Sequence, residues 1–199
     1  MESIRRVRVK RPTENPGRLI WSGEHWINGI RTQDSQEPSG WFSLYHTRYS
    51  EFGEGNTLQL VVPSLDIQLV CTDNLELGKW INEKFFRNSW VDTSHLPLVE
   101  GTFFRKGEVR KSPSYVVFSG KIEVVSSWEV KDPPVITYGP FSEDKEFFTL
   151  LFFTEESSLE LNGQLVSGTP YRRDIWRDSI GGERSSSVIA LAETMIRSD

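Results

Sequence analysis

The residues best equipped for chemistry crowd one stretch of the chain, Tyr171-Arg172-Arg173-Asp174-Ile175-Trp176-Arg177-Asp178, which continues through Gly181-Gly182 to Ser185. Residues 171–185 hold four arginines, three acids and two aromatic rings. Arginine presents a planar fork that grips a carboxylate or phosphate through two parallel hydrogen bonds. Arg173 or Arg177 could therefore orient an anionic group, with Tyr171 or Trp176 as a stacking face. Connections of this length between strands serve as lids or binding elements in compact domains. The alternative is that Arg and Asp neutralise one another here and that Gly181-Gly182 permits a tight turn.

Three histidines, His25, His46 and His95, offer acid–base chemistry, and none has a second metal-type ligand at a helpful spacing. His46 lies in the run Trp41-Phe42-Ser43-Leu44-Tyr45-His46-Thr47-Arg48-Tyr49, on the face opposite Trp41, Tyr45 and Tyr49. It is the first candidate general base, with Asp174 or Tyr171 as its partner; a surface histidine is the alternative. Trp41, Tyr45 and Trp128 are candidate linings for an apolar cavity, or else plain core. No metal site and no cofactor is implied, for the chain has no Gly-rich phosphate loop, paired-His zinc helix, Gly-x-Ser-x-Gly elbow or EF-hand loop. The single cysteine, Cys71, excludes an internal disulfide, and it ends an apolar run as a small buried hydrophobe would.

The elements that must position these groups read as β-strands. From 115 to 130 the even positions Val116, Phe118, Gly120, Ile122, Val124, Ser126, Trp128 and Val130 are apolar or small, which predicts one long half-buried strand with a bend at Gly120. Further strands are expected near 19–31, 41–50, 57–62, 65–71, 98–105, 135–138, 146–154, 158–161, 164–167 and 187–196. The apolar parity switches around Pro63, marking a turn or bulge, and Asn162-Gly163 supplies the positive φ angles of a type I′ hairpin. Residues 147–153 are apolar on both faces and predict a covered, central strand. One amphipathic helix is expected around 74–87, from Leu77, Trp80, Ile81 and Phe85 at helical spacing behind an Asp73 cap.

Seven Trp and twelve Phe in 199 residues predict an aromatic-rich core or cavity. Residues 1–11 carry +4 against a total of −5, so the remainder carries −9. A body that acidic argues against a phosphate-backbone surface, and no nucleic-acid partner is expected. The basic leader 1–11 reads as a solvated tail or edge strand ahead of one domain over 12–199. With no apolar leader and no apolar run near a membrane span, a cytoplasmic location is expected.

An antiparallel ladder with one capping helix resembles the calycin, lipocalin-like barrel in element order only, since the Gly-x-Trp element of lipocalins is missing. The fold class expected is all-β, mainly antiparallel, as a barrel or a sandwich. That likeness is of fold and does not give function. The first functional reading is a binding module whose small apolar or amphipathic ligand enters the barrel mouth beneath residues 171–185, oriented by Arg173, Arg177 or Tyr171. The competing readings are a lipocalin-like isomerase, cyclase or hydratase acting on a lipophilic substrate, and a non-catalytic interaction domain.

Overall fold

A computed structural model of the chain describes residues 17–89, 91–142 and 145–197, without the side chains of residues 88, 140–142, 176, 178 and 179. The basic leader 1–11 therefore lies outside the described residues. In chain order the structure runs through β1 (Arg18–Arg31), β2 (Gly40–Ser50), β3 (Gly55–Val62), β4 (Ile67–Thr72) and helix α1 (Leu75–Lys84). It continues with β5 (Leu98–Glu100), β6 (Thr102–Lys106), β7 (Ser114–Ser119), β8 (Ile122–Glu129), β9 (Val135–Ser142) and β10 (Lys145–Phe153). The last part holds β11 (Glu156–Leu161), β12 (Gln164–Leu165), β13 (Thr169–Pro170), β14 (Arg172–Arg173), the short helix α2 (Arg177–Ile180), β15 (Arg184–Ser185) and β16 (Ser187–Arg197).

The fold is mainly β, as the alternating pattern predicts, and it is built from separate, mostly antiparallel sheets. The large sheet has the order β5-β4-β3-β2-β1-β16-β10-β9, with β13 paired beside the end of β1. A second sheet runs β12-β11-β8-β7-β6. The only parallel pair among the described strands is β4 with β5. β5 and β9 end the path of the large sheet without pairing to each other, so no closed barrel forms among the described residues. The two sheets stack like a sandwich. Trp26, Phe42, Leu44, Leu60 and Ile189 of the large sheet pack against Tyr115, Val117, Val124, Trp128 and Leu159 of the small one.

A polar bolt crosses that core. Asn28, fully buried on β1, donates to Ser126 Oγ at 3.0 Å and to the Ser158 carbonyl at 2.8 Å, and accepts from Ser157 Oγ at 2.7 Å. Trp128 Nε1 also spans the gap, reaching the Ile27 carbonyl at 3.0 Å.

The expected single strand over 115–130 is a hairpin instead. Ser119 pairs with Ile122 across Gly120-Lys121, and Gly120 takes φ +58°, which glycine adopts without steric cost. Tyr115 and Val117 face inward before the turn, and Val124 and Trp128 after it, so the inward parity changes at the turn. The sequence hid the change because Tyr115-Val116-Val117-Phe118 is apolar at both parities, and Phe118 is 42% exposed. The other turn signals hold. Pro63–Leu65 forms a 3-10 turn before β4, and Asn162 and Gly163 both take positive φ.

Helix α1 covers the outer face of the large sheet, the face turned away from the small sheet, rather than the mouth of a barrel. Its N-cap is Asn74, whose side chain accepts from Leu77 N, in place of the expected Asp73. Asp73 instead binds the Asn56 amide and side chain at 2.6 Å each. The helix also ends earlier than 87, at Lys84, where a separate 3-10 turn over Phe86–Asn88 begins. Leu77 and Ile81 bury against Trp21, Tyr45, Val70 and Met195 of the sheet.

Candidate functional site

On the outer face of the large sheet β1 presents His25 and Ile27, β2 presents Trp41, Ser43 and Tyr45, and β10 presents Phe147. Odd positions point this way because a strand alternates faces, and Trp26, Phe42 and Leu44 already fill the inter-sheet core. Two covers close over the face, residues 84–96 on one side and 173–180 on the other. Between them lies a cleft of about 370 Å³. Phe85 and Phe86 wall it from the first cover, and Arg173 and Ile175 from the second.

Each cover is pinned by a polar anchor. Gln59, fully buried on β3, donates to the Val91 carbonyl and to Thr93 Oγ1, both at 2.8 Å. Its carbonyl oxygen accepts from Ser89 Oγ at 2.9 Å and from Trp41 Nε1 at 3.2 Å. The second cover is a hairpin-like excursion rather than an unstructured loop. β14 pairs with β15, Ser186 and Tyr171 exchange backbone and hydroxyl hydrogen bonds, and Ile180 buries against Val91 and Val135.

The floor of the cleft is titratable. His25 Nε2 lies 2.8 Å from Ser43 Oγ, and its ring stacks on Tyr45 with centroids 3.8 Å apart. Burial lowers the His25 pKa from 6.5 to about 3, so the imidazole is neutral at ordinary pH. Burial first, and the nearby Glu193 charge second, push the Tyr45 hydroxyl well above its usual range. Burial alone raises the Glu193 carboxyl from 4.5 to about 7.

Glu193 reaches this floor through a defect in β16. Between Gly23 and His25 of β1, β16 advances from Glu193 to Ala190; between Phe148 and Leu150 of β10, it advances from Thr194 to Leu191. One extra residue of β16 is thus absorbed against both neighbours, and Ala192 takes φ +52° to do so. Val188 and Ala190 face outward before the bulge, and Glu193 and Met195 after it. Without the extra residue Glu193 would point toward the small sheet.

The structure divides the residues singled out from sequence. Trp41, Tyr45 and Arg173 line the cleft together, with the Arg173 guanidinium 5.2 Å from the centre of the Trp41 ring. Trp128 lies across the sheet, in the inter-sheet core. Tyr171 lines a different, shallow depression, where Arg31 sits 4.5 Å over its ring. Arg177 is exposed and paired to Glu183 at 2.9 Å. The side chain of Trp176 lies outside the described residues. His46 binds Asn56 Oδ1 at 2.8 Å on the other face of β2, and Asp174 is exposed, so these two share no described cavity with each other or with Tyr171.

Glu193, Ser43, Gln59 and the weight of His25 were not found from sequence. For His25 and Ser43 the signal was present in the parity of β1 and β2. Cys71 sits in the inter-sheet core, and burial pushes its thiol up to about 12, which suits packing and not nucleophilic attack. Among the described residues no three His, Cys, Asp or Glu side chains are grouped to hold a metal ion, and no helix is long and apolar enough to cross a membrane. No family model matches the chain, and comparison with curated proteins and with solved structures finds no match either.

Proposed function

We propose that the outer-face cleft binds a small apolar or amphipathic molecule. The observation that carries this reading is a space of about 370 Å³ between the two covers, lined by aromatic rings and a few polar groups. Ligand sites commonly combine such a lining with a few polar groups that fix orientation. Trp41, Phe85, Phe86 and Ile175 would hold the apolar body, while Arg173 and Lys84 add charged groups from the two covers. The reading does not depend on the calycin likeness, because the cleft lies outside the sandwich rather than within a barrel.

The test is a titration with 1-anilinonaphthalene-8-sulfonate, read through energy transfer from tryptophan. Saturable binding at one site is expected, and Ser43→Trp, which fills the cleft, should abolish it. Binding that does not saturate, or that Ser43→Trp leaves intact, would overturn the proposal. A second reading, acid–base turnover of a lipophilic substrate, is supported by His25, Tyr45 and Glu193 sharing the cleft, whereas His46 and Asp174 do not. It predicts a Glu193→Gln variant that still binds substrate and no longer converts it.

A further inference from the structure

We propose that the molecule held in the cleft is an amphipathic amine, whose positive nitrogen pairs with the Glu193 carboxylate among Tyr45, Phe85 and Phe147. This rests on the cleft being a ligand site and names the class of ligand. Glu193 is aimed at the floor by a backbone bulge that places Ala192 at φ +52°, a conformation costly for any residue but glycine. Bulges of this kind commonly re-aim a side chain beside a functional site. Among the described residues the Glu193 carboxylate has no hydrogen bond and no ion pair. The Glu193 side chain is partly buried in the cleft, and a cation brought in by a ligand would pair with its carboxylate where water now reaches it.

Among the described residues the protein pairs no cation with Glu193. His25, the nearest base along β1, is kept neutral by burial and is engaged with Ser43. The other charged groups lining the cleft are Lys84 and Arg173, both on the covers, and Arg173 lies over Trp41. Neither forms an ion pair with Glu193, whose pKa burial raises. Glu193 thus shares the cleft with two cations that stand on opposite covers. The aromatic rings that line the same cleft could add the attraction of a π face for a positive nitrogen. An anionic head group would face an unpartnered carboxylate there, and a neutral one would leave it unpaired.

Three amphiphiles with one tail and different head groups decide the matter: decylamine, decanoate and 1-decanol, titrated calorimetrically into the full chain at pH 8. Decylamine should bind at least about ten-fold more tightly than 1-decanol, the scale of one desolvated ion pair. Glu193→Gln should erase the preference for decylamine over 1-decanol. At pH 5.5 the carboxyl, titrating at about 7, is protonated, and decylamine should bind on the order of ten-fold more weakly. Preference for decanoate, or decylamine affinity unmoved by Glu193→Gln, would overturn the amine assignment while leaving the cleft as a ligand site. If none of the three saturates, or Ser43→Trp alters no isotherm, the site itself falls and the assignment with it.

Discussion

The imidazole of His25 lies on the ring of Tyr45, with planes 16° from parallel and centroids 3.8 Å apart. Tyr45 is buried and His25 partly buried at the floor of the cleft, as is Glu193, whose proton behaves in the opposite sense. The His25 pKa falls from 6.5 to about 3 on folding, so the unfolded chain takes up a proton that the folded one refuses. That contribution to stability is complete above pH 6.5 and is lost as pH falls. The Glu193 pKa rises from 4.5 to about 7, so the folded chain keeps a proton that the unfolded one releases. Its contribution is complete below pH 4.5 and is lost as pH rises through 7.

Between pH 4.5 and 6.5 the two slopes therefore oppose each other, and urea unfolding of the native sequence should change little with pH. Glu193→Gln exposes the histidine slope, with stability falling on acidification by on the order of 2 kcal/mol across that window. His25→Gln exposes the carboxyl slope, and stability should rise on acidification by a similar amount. Two variants as flat as the parent would show that neither group is desolvated in the folded chain.

Ala192 carries the strain that turns Glu193 outward. A left-handed conformation costs a residue with a Cβ roughly 1–2 kcal/mol, part of which glycine regains and part of which its greater unfolded entropy removes. Ala192→Gly should therefore stabilise by about 0.5–1 kcal/mol. Ala192→Val should destabilise by more than about 1 kcal/mol, because branching at Cβ crowds that region further. Chemical denaturation midpoints measure both, and a destabilising glycine beside a neutral valine would rule out the left-handed bulge.

Gly78 breaks the ordinary helix rule. In an exposed helix interior, Gly→Ala stabilises by about 1 kcal/mol. Here a Cβ would stand 2.6 Å from Leu98 Cδ2 and 2.6 Å from Thr72 Cγ2, since α1 rests directly on β4 and the start of β5. Gly78→Ala should instead destabilise by on the order of 1–3 kcal/mol, the usual range for overpacking. A thermal melt that moves upward would mean the helix stands further from the sheet.

Strand existence was legible because period-two alternation survives wherever one face is core and the other is not. β1, β2 and β3 fall within two residues of their expected bounds, and their inward residues Trp26, Phe42, Leu44, Leu58 and Leu60 are the ones the alternation marks. The hairpin at Gly120 was not legible, because four consecutive apolar residues erase the parity that would have marked it. The site was harder still. Arg173, Trp41 and Tyr45 could be chosen by residue type, but Glu193 looks like an ordinary solvated acid until the slipped register of β16 turns it outward. A defect in pairing leaves no composition signal. The large sheet is also covered on both faces, so rows that alternation marks as outer, such as Trp41 and Tyr45, belong to a second packed layer rather than to solvent.

Gln59 makes that second layer testable. Its amide is saturated by Val91, Thr93, Ser89 and Trp41, so one buried side chain ties the first cover to the sheet and to a wall of the cleft. Gln59→Met keeps the length and removes all four bonds, leaving the Thr93 and Ser89 hydroxyls and the Val91 carbonyl without the partner they have now. Unsatisfied buried groups of this kind cost about 1–3 kcal/mol each when water cannot reach them, and less if the cover lifts to admit it. The expected result is a loss on the order of 3 kcal/mol together with faster proteolysis within residues 84–96. Affinity of the cleft for 1-anilinonaphthalene-8-sulfonate should fall in the same variant, because Ser89, Phe85 and Phe86 move with the cover. If proteolysis stays slow and the probe binds as before, the cover is held by its apolar residues and Gln59 is not its anchor.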